Sequence, residues 1–97
     1  MDRQSALQIL ASHRESLIRE FSVASLAIFG SVARGEATDA SDIDILVEFN
    51  GPVGLFAFIR LQQHLEELLG CKVDLVTPDA LRQEMRERIL KEAIRAA

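Results

Sequence analysis

Apolar residues recur at spacings of three and four through Leu7, Leu10, Ala11, Leu17, Ile18 and Phe21, which predicts one amphipathic helix over residues 3–20. The pattern then changes. Val23 to Phe29 is a short apolar run ending at Gly30 and reads as a buried strand, and the polar, acidic residues 35–41 read as a loop. From Ile43 to Phe49 the chain alternates. Ile43, Ile45 and Val47 point one way, and Asp42, Asp44, Leu46 and Glu48 the other, as on a strand. Asn50-Gly51-Pro52 is turn chemistry. Leu55 to Leu69 predicts a helix that offers Leu55, Phe58, Ile59, Leu65, Leu68 and Leu69 to the core, with Gly70 as its C-cap.

Val73 to Val76 is a third strand, and Thr77-Pro78-Asp79 starts a last helix with a hydroxyl cap, a proline at its first position and an early acid. Leu81, Met85, Ile89, Ala93 and Ala96 lie close to one stripe of that helix, with Leu90 and Ile94 beside them. The order helix, strand, strand, helix, strand, helix describes a small α/β (α+β) fold: a mixed sheet of about three strands with flanking helices.

Composition narrows this picture. The chain has 97 residues, 48% of them hydrophobic, which suits one domain spanning residues 1–97 with one core. Such a domain has little surface with which to enclose a large substrate. Fifteen acidic against eleven basic residues give a formal charge of −4, which argues against generalised nucleic-acid binding. The basic residues are uneven, however, since Arg82, Arg86, Arg88, Lys91 and Arg95 crowd the end of the chain. The lone Cys71 implies a reducing compartment.

Asp2, Arg3, Arg14, Glu15, Arg19 and Glu20 exclude a signal peptide at the N-terminus. No uncharged run approaches the roughly 20 residues that cross a bilayer, so a cytoplasmic protein is expected. His13 and His64 have no companion at metal-ligand spacing and read as structural.

The chemistry concentrates in three places. Gly30-Ser31 follows a strand: the glycine permits close backbone approach, and the serine offers a hydroxyl and an N–H to an anion. Asp42 and Asp44 lie two apart on a strand, so their carboxylates leave one face. Two such charges about 4 Å apart repel by roughly 4 kcal/mol at an effective dielectric near 20. A cation removes that penalty, and an all-oxygen pair beside phosphate oxygens suits Mg²⁺. If the Val73 strand pairs beside the Ile43 strand, Asp74 projects to the same point, as a further metal ligand or as the base for an attacking hydroxyl. Arg34, one turn beyond the serine, is within reach of a phosphate.

The runs Gly-Ser-Val-Ala-Arg-Gly-Glu-Ala from Gly30, Ser-Asp-Ile-Asp-Ile-Leu-Val from Ser41 and Val-Asp-Leu-Val from Val73 together resemble the minimal nucleotidyltransferases, the MNT group of the polymerase-β-like superfamily. The resemblance covers roughly residues 20–97. It implies the polymerase-β-like fold and transfer of AMP from ATP to a hydroxyl. Gly30, Ser31 and Arg34 would bind the nucleotide, and Asp42, Asp44 and Asp74 would be the catalytic, Mg²⁺-binding acids. It also implies a partner, because such proteins are often antitoxins that silence a helical HEPN-domain ribonuclease toxin by attaching AMP to a tyrosine. The closing Glu87-Arg88-Ile89-Leu90-Lys91-Glu92-Ala93 is similar to the family's last helix, but Ile94-Arg95 stands where an aromatic is usual.

Two other readings compete. A binding antitoxin without catalysis would neutralise the toxin by covering it. Transfer to a small molecule would need no partner, but relatives of that kind carry a second domain as the far wall.

Overall fold

The computed structural model describes residues 1–36 and 42–97. It contains helices α1 (Arg3–Ser12), α2 (Arg14–Phe21), α3 (Gly30–Arg34), α4 (Leu55–Leu69) and α5 (Gln83–Glu92), and strands β1 (Val23–Phe29), β2 (Ile43–Phe49), β3 (Val73–Val76) and β4 (Ile94–Arg95). The strands form one mixed sheet in the order β3-β2-β1-β4. β1 is antiparallel to both β2 and β4, whereas β2 and β3 are parallel and joined by the α4 crossover. The loop expected over residues 35–41 lies, from residue 37 onward, outside the described residues.

Alternation along β2 divides the molecule. Ile43, Ile45 and Val47 enter the main core with Leu26 and Ile28 of β1, Val73 and Leu75 of β3, Ala6 and Leu10 of α1, Leu17 of α2, and Leu61, Leu65 and Leu69 of α4. Leu46 faces the other way, into a smaller cluster with Phe29 of β1 and Ile89 of α5. Among the described residues, one sheet face is thus covered by α1, α2 and α4, and the other only in part, by α5. The acids of β2 and β3 lie on that second face.

Four expectations change. The single helix over 3–20 is two, because His13 (φ −106°, ψ 13°) leaves the helical region and its ring bonds the Ile9 carbonyl at 2.9 Å. Leu10 and Leu17 are seven apart, so both helices still bury one stripe. The Pro78 start makes only a three-residue 3-10 turn (Pro78–Ala80), whose Thr77 side chain makes no capping bond, and α5 begins at Gln83. The sheet has four strands rather than about three, since Ala93 turns extended (φ −66°, ψ 137°) and Ile94-Arg95 pairs with Ile28 and Ala27. Finally, Leu55 is 70% exposed and Ile59 39%, so α4 packs through Leu61 together with the expected Leu65 and Leu69, with Phe58 partly buried against the same core. Gly70 is the C-cap as expected, at φ +70° with its N–H on the Glu66 carbonyl at 2.8 Å.

Truncating the fully buried Ile45 to alanine removes packing at the centre of the sheet and is expected to cost about 2–5 kcal/mol in urea unfolding. Leu55→Ala, on the exposed start of α4, is expected to cost less than about 0.5 kcal/mol. Comparable losses at both positions would mean that α4 packs in the sequence-predicted way after all.

Candidate active site

Parallel register sets Asp44 of β2 directly beside Asp74 of β3. Each acid is flanked along its strand by core residues, Ile43 and Ile45 in one case and Val73 and Leu75 in the other. Pleating therefore sends both carboxylates to the half-covered face. Asp44 is partly buried; Asp74 and Asp42, the residue just before β2, are exposed.

The Asp44 carboxyl is pushed up to about 6. Partial burial is the largest cause, followed by the charge of Asp74 and a hydrogen bond with it, then the charge of Asp42; the Arg34 cation opposes them. Asp44 and Asp74 are thus brought side by side, with Asp42 close enough for its charge to be felt.

The turn that closes over this pair comes from β1. Phe29 pairs with Asp44 across the β1/β2 ladder, so the next residue, Gly30, arrives next to the carboxylate. Gly30 has φ +74°, and a Cβ there would collide with Asp44 Oδ2 while lying 3.0 Å from its Cγ and 3.3 Å from its Cβ. No side chain fits. Gly30 opens α3, and the half-buried Ser31 is the second residue of that helix.

Arg34, at its end, is engaged rather than free-swinging: its Nε donates to Glu36 Oε2 at 3.1 Å and its Nη1 to Glu92 at 3.0 and 3.3 Å. Glu92 also accepts the Gly30 N–H, at 3.2 Å on Oε1. Sequence reasoning gave Glu92 no role at the site. The signal that would have found it is the pairing of β4 with β1, hidden in a run that reads as helix.

The donor set can be weighed against a cation. Among the described residues no group of three His, Cys, Asp or Glu side chains is placed to hold a metal ion. Mg²⁺ does not ask for one, since it keeps several waters and takes one or two carboxylates plus substrate phosphates. Asp44 and Asp74, hard oxygen donors set side by side by the β2/β3 register, fit that open mode. His13 and His64 lie elsewhere: His13 bonds within its own helix, and His64 stacks on Phe21 with ring centroids 4.9 Å apart. Partial burial pushes the Cys71 thiol up, which does not make a nucleophile of it.

Comparison with known proteins places the chain in a family. The nucleotidyltransferase domain family matches residues 10–96. Protein adenylyltransferase MntA of Thermococcus cleftensis is 42% identical over 86 residues, 89% of this chain and 87% of its own. A solved protein described as a minimal nucleotidyltransferase shares 40% identity and superposes with a TM-score of 0.81 over 97% of this chain and 95% of its own. A chain from the Shewanella oneidensis complex of a tri-AMPylated HEPN toxin with its MNT antitoxin has the same fold, with a TM-score of 0.66, 22% identity and coverage of 94% and 71%. The chain belongs to the nucleotidyltransferase domain family and, within it, to the minimal nucleotidyltransferases.

Two measurements test the geometry without substrate. Gly30→Ala is expected to destabilise by about 2–4 kcal/mol, adding a displaced Asp44 to the strain of positive φ. Gly35→Ala, at nearly the same φ of +75° but with nothing within 4 Å among the described residues, is expected to cost only about 1 kcal/mol. Equal costs in denaturant unfolding would show that Asp44 does not lie under the turn.

The second concerns pH. Folded Asp44 keeps its proton up to about pH 6, the unfolded residue only to about pH 4, so folding takes up a proton between them. The metal-free protein should lose about 1 kcal/mol as pH rises through that window, after allowing for the solvent that reaches this carboxylate. Asp44→Asn should flatten the slope of unfolding free energy between pH 4 and 7; an unchanged slope would show that another group takes up the proton.

Proposed function

We propose that this protein is an Mg²⁺-dependent adenylyltransferase that moves AMP from ATP to a hydroxyl of a partner protein, a HEPN-domain toxin, and thereby acts as its antitoxin. The observation that carries the reading is the paired Asp44 and Asp74 beneath the Gly30-Ser31 turn, in a chain 42% identical to a protein adenylyltransferase. The partner rests on the MNT antitoxin that shares this fold and was solved with an AMPylated HEPN toxin.

In the transfer, the acceptor oxygen forms a bond to the α-phosphorus, the bond from that phosphorus to the bridging oxygen breaks, and pyrophosphate leaves. Asp42, Asp44 and Asp74 would hold Mg²⁺, which supplies positive charge to the phosphoryl oxygens when bound. Gly30 and Ser31 bring the backbone and a hydroxyl close to the triphosphate, and Arg34 lends it a cation. Asp74, which is exposed, would receive the acceptor's proton. Its solvent exposure lets that proton pass to water.

A protein acceptor suits the open face. α5 covers only part of the acid-bearing side of the sheet, so a second wall has to come from what binds there. The chain contains no tyrosine, so it cannot be its own acceptor at that residue type.

The test is intact-mass analysis of a cognate HEPN protein incubated with this protein, ATP and Mg²⁺, beside the Asp42→Asn, Asp44→Asn double variant. A mass gain in whole AMP units that needs both ATP and the two aspartates is the expected result. A stable complex that neutralises the toxin equally well in the double variant, with no gain in mass, would replace the enzyme with a binding antitoxin.

A further inference from the structure

Glu92 lies 62 residues from Gly30 in sequence, yet its carboxylate binds both the Gly30 peptide and the Arg34 guanidinium. The register of the last strand explains how. Ile94 pairs with Ile28 and Arg95 with Ala27, antiparallel. Continued two residues, that register sets Glu92 across from Gly30. The chain has left the ladder by then, because α5 ends at Glu92, and the side chain rather than the backbone takes the Gly30 N–H. Through this contact the end of α5 is tied to the turn that opens α3.

Stability alone does not account for the contact. The Arg34 side chain is 46% exposed, Glu92 21% and Glu36 65%, and ion pairs this wet contribute only about 0–1 kcal/mol. Orientation is another matter. A free arginine side chain samples many rotamers, whereas a guanidinium held on two sides by Glu36 and Glu92 presents its remaining donors in one direction. The same Glu92 carboxylate takes the Gly30 N–H, so the guanidinium is held beside the turn that covers Asp44.

We propose that Glu92 is a positioning residue for the nucleotide: it fixes the Gly30 peptide and aims Arg34, so that the turn meets the triphosphate already in its binding shape. This rests on the nucleotidyltransferase reading above. It predicts that the charge of Glu92, offset by Arg34 within the pair, assists ATP rather than repelling it.

The experiment is ATP binding by calorimetry, with Mg²⁺ present, on the full chain and on four variants. Glu92→Ala is expected to weaken binding by about tenfold, as loss of a charged hydrogen-bond partner implies. Glu92→Gln retains one acceptor oxygen for the Gly30 N–H and Arg34 and loses the other, so its affinity should fall between, within about threefold of the parent chain. Arg34→Ala with Glu92→Ala should lose less than the sum of the two single losses, because part of the effect of Glu92 runs through that arginine and part through the Gly30 peptide.

Unfolding in urea monitors the fold, and a merely structural contact would lower stability without the graded change in affinity. Unchanged affinity in Glu92→Ala overturns the proposal, as does tighter binding, which would mean that the carboxylate competes with phosphate. Additive losses in the double variant also overturn it. If Glu92→Ala does not fold, Arg34→Ala decides, since undiminished ATP binding there leaves Glu92 nothing to aim. A parent chain that binds no ATP would instead bring down the nucleotide reading itself, and is told apart by appearing before any substitution.

Discussion

Two carboxylates set side by side on parallel strands, with the backbone of Gly30 pressed onto one of them, form the constraint around which the molecule is arranged. A protein of this size does not hold such a pair without something to offset it. Burial and the neighbouring charges raise the Asp44 pKa to about 6, a cost that recurs in every folded molecule while no cation is bound. The offset comes from the opposite face of the same strands. Ile43, Ile45, Val73 and Leu75 are almost wholly buried against α1, α2 and α4, and the packing of four such side chains, at about 1.5–3 kcal/mol each, exceeds the strain. One face stabilises the sheet so that the other can carry repelling groups.

The glycine follows from the same geometry. A strand-to-helix turn needs no glycine as such; this one does, because Asp44 lies where a side chain would go. The spacing between Gly30 and Asp44 along the chain is therefore matched to the antiparallel register that brings Phe29 opposite Asp44. What reads in sequence as a small-residue turn beside a pair of acids is, in three dimensions, a single packed contact. Its consequence is a short path from the backbone that can approach phosphate to the oxygens that can share a cation with it.

Much of this was legible in the sequence, and what was not has definite causes. β1, β2, α4 and β3 were read to their ends because each combines a strong period with a glycine, turn or acid boundary. Asp44 and Asp74 were predicted to meet provided their strands were neighbours, and they are. Arg34 was expected near phosphate, but its ion pair with Glu92 was invisible, since it depends on where α5 ends, and the local pair with Glu36 was not foreseen either.

The break at His13 leaves the apolar stripe intact, so periodicity cannot register it. β4 is two residues long, and Ile94-Arg95 prolongs the spacing of α5 by chance. Tertiary pairing with β1 overrides that local preference, with Ala96 and Ala97 donating to the Leu26 carbonyl beyond it. Such long-range pairing has no local trace.

The short fourth strand matters more than its length suggests. Without it, α5 would continue as a helix past Glu92 and nothing would hold its end against β1. With it, the chain doubles back along β1, and Glu92 is delivered to the Gly30 N–H at the mouth of the acid site. The outer face of α5 meanwhile stays open, with Leu90 51% and Met85 43% exposed, while its inner face packs Ile89 on Phe29 and Leu46. A helix with one side against the sheet, one side in solvent and its last carboxylate on the Gly30 turn couples its own position to the shape of that turn. Two residues of strand thus convert a covering helix into part of the site's framework.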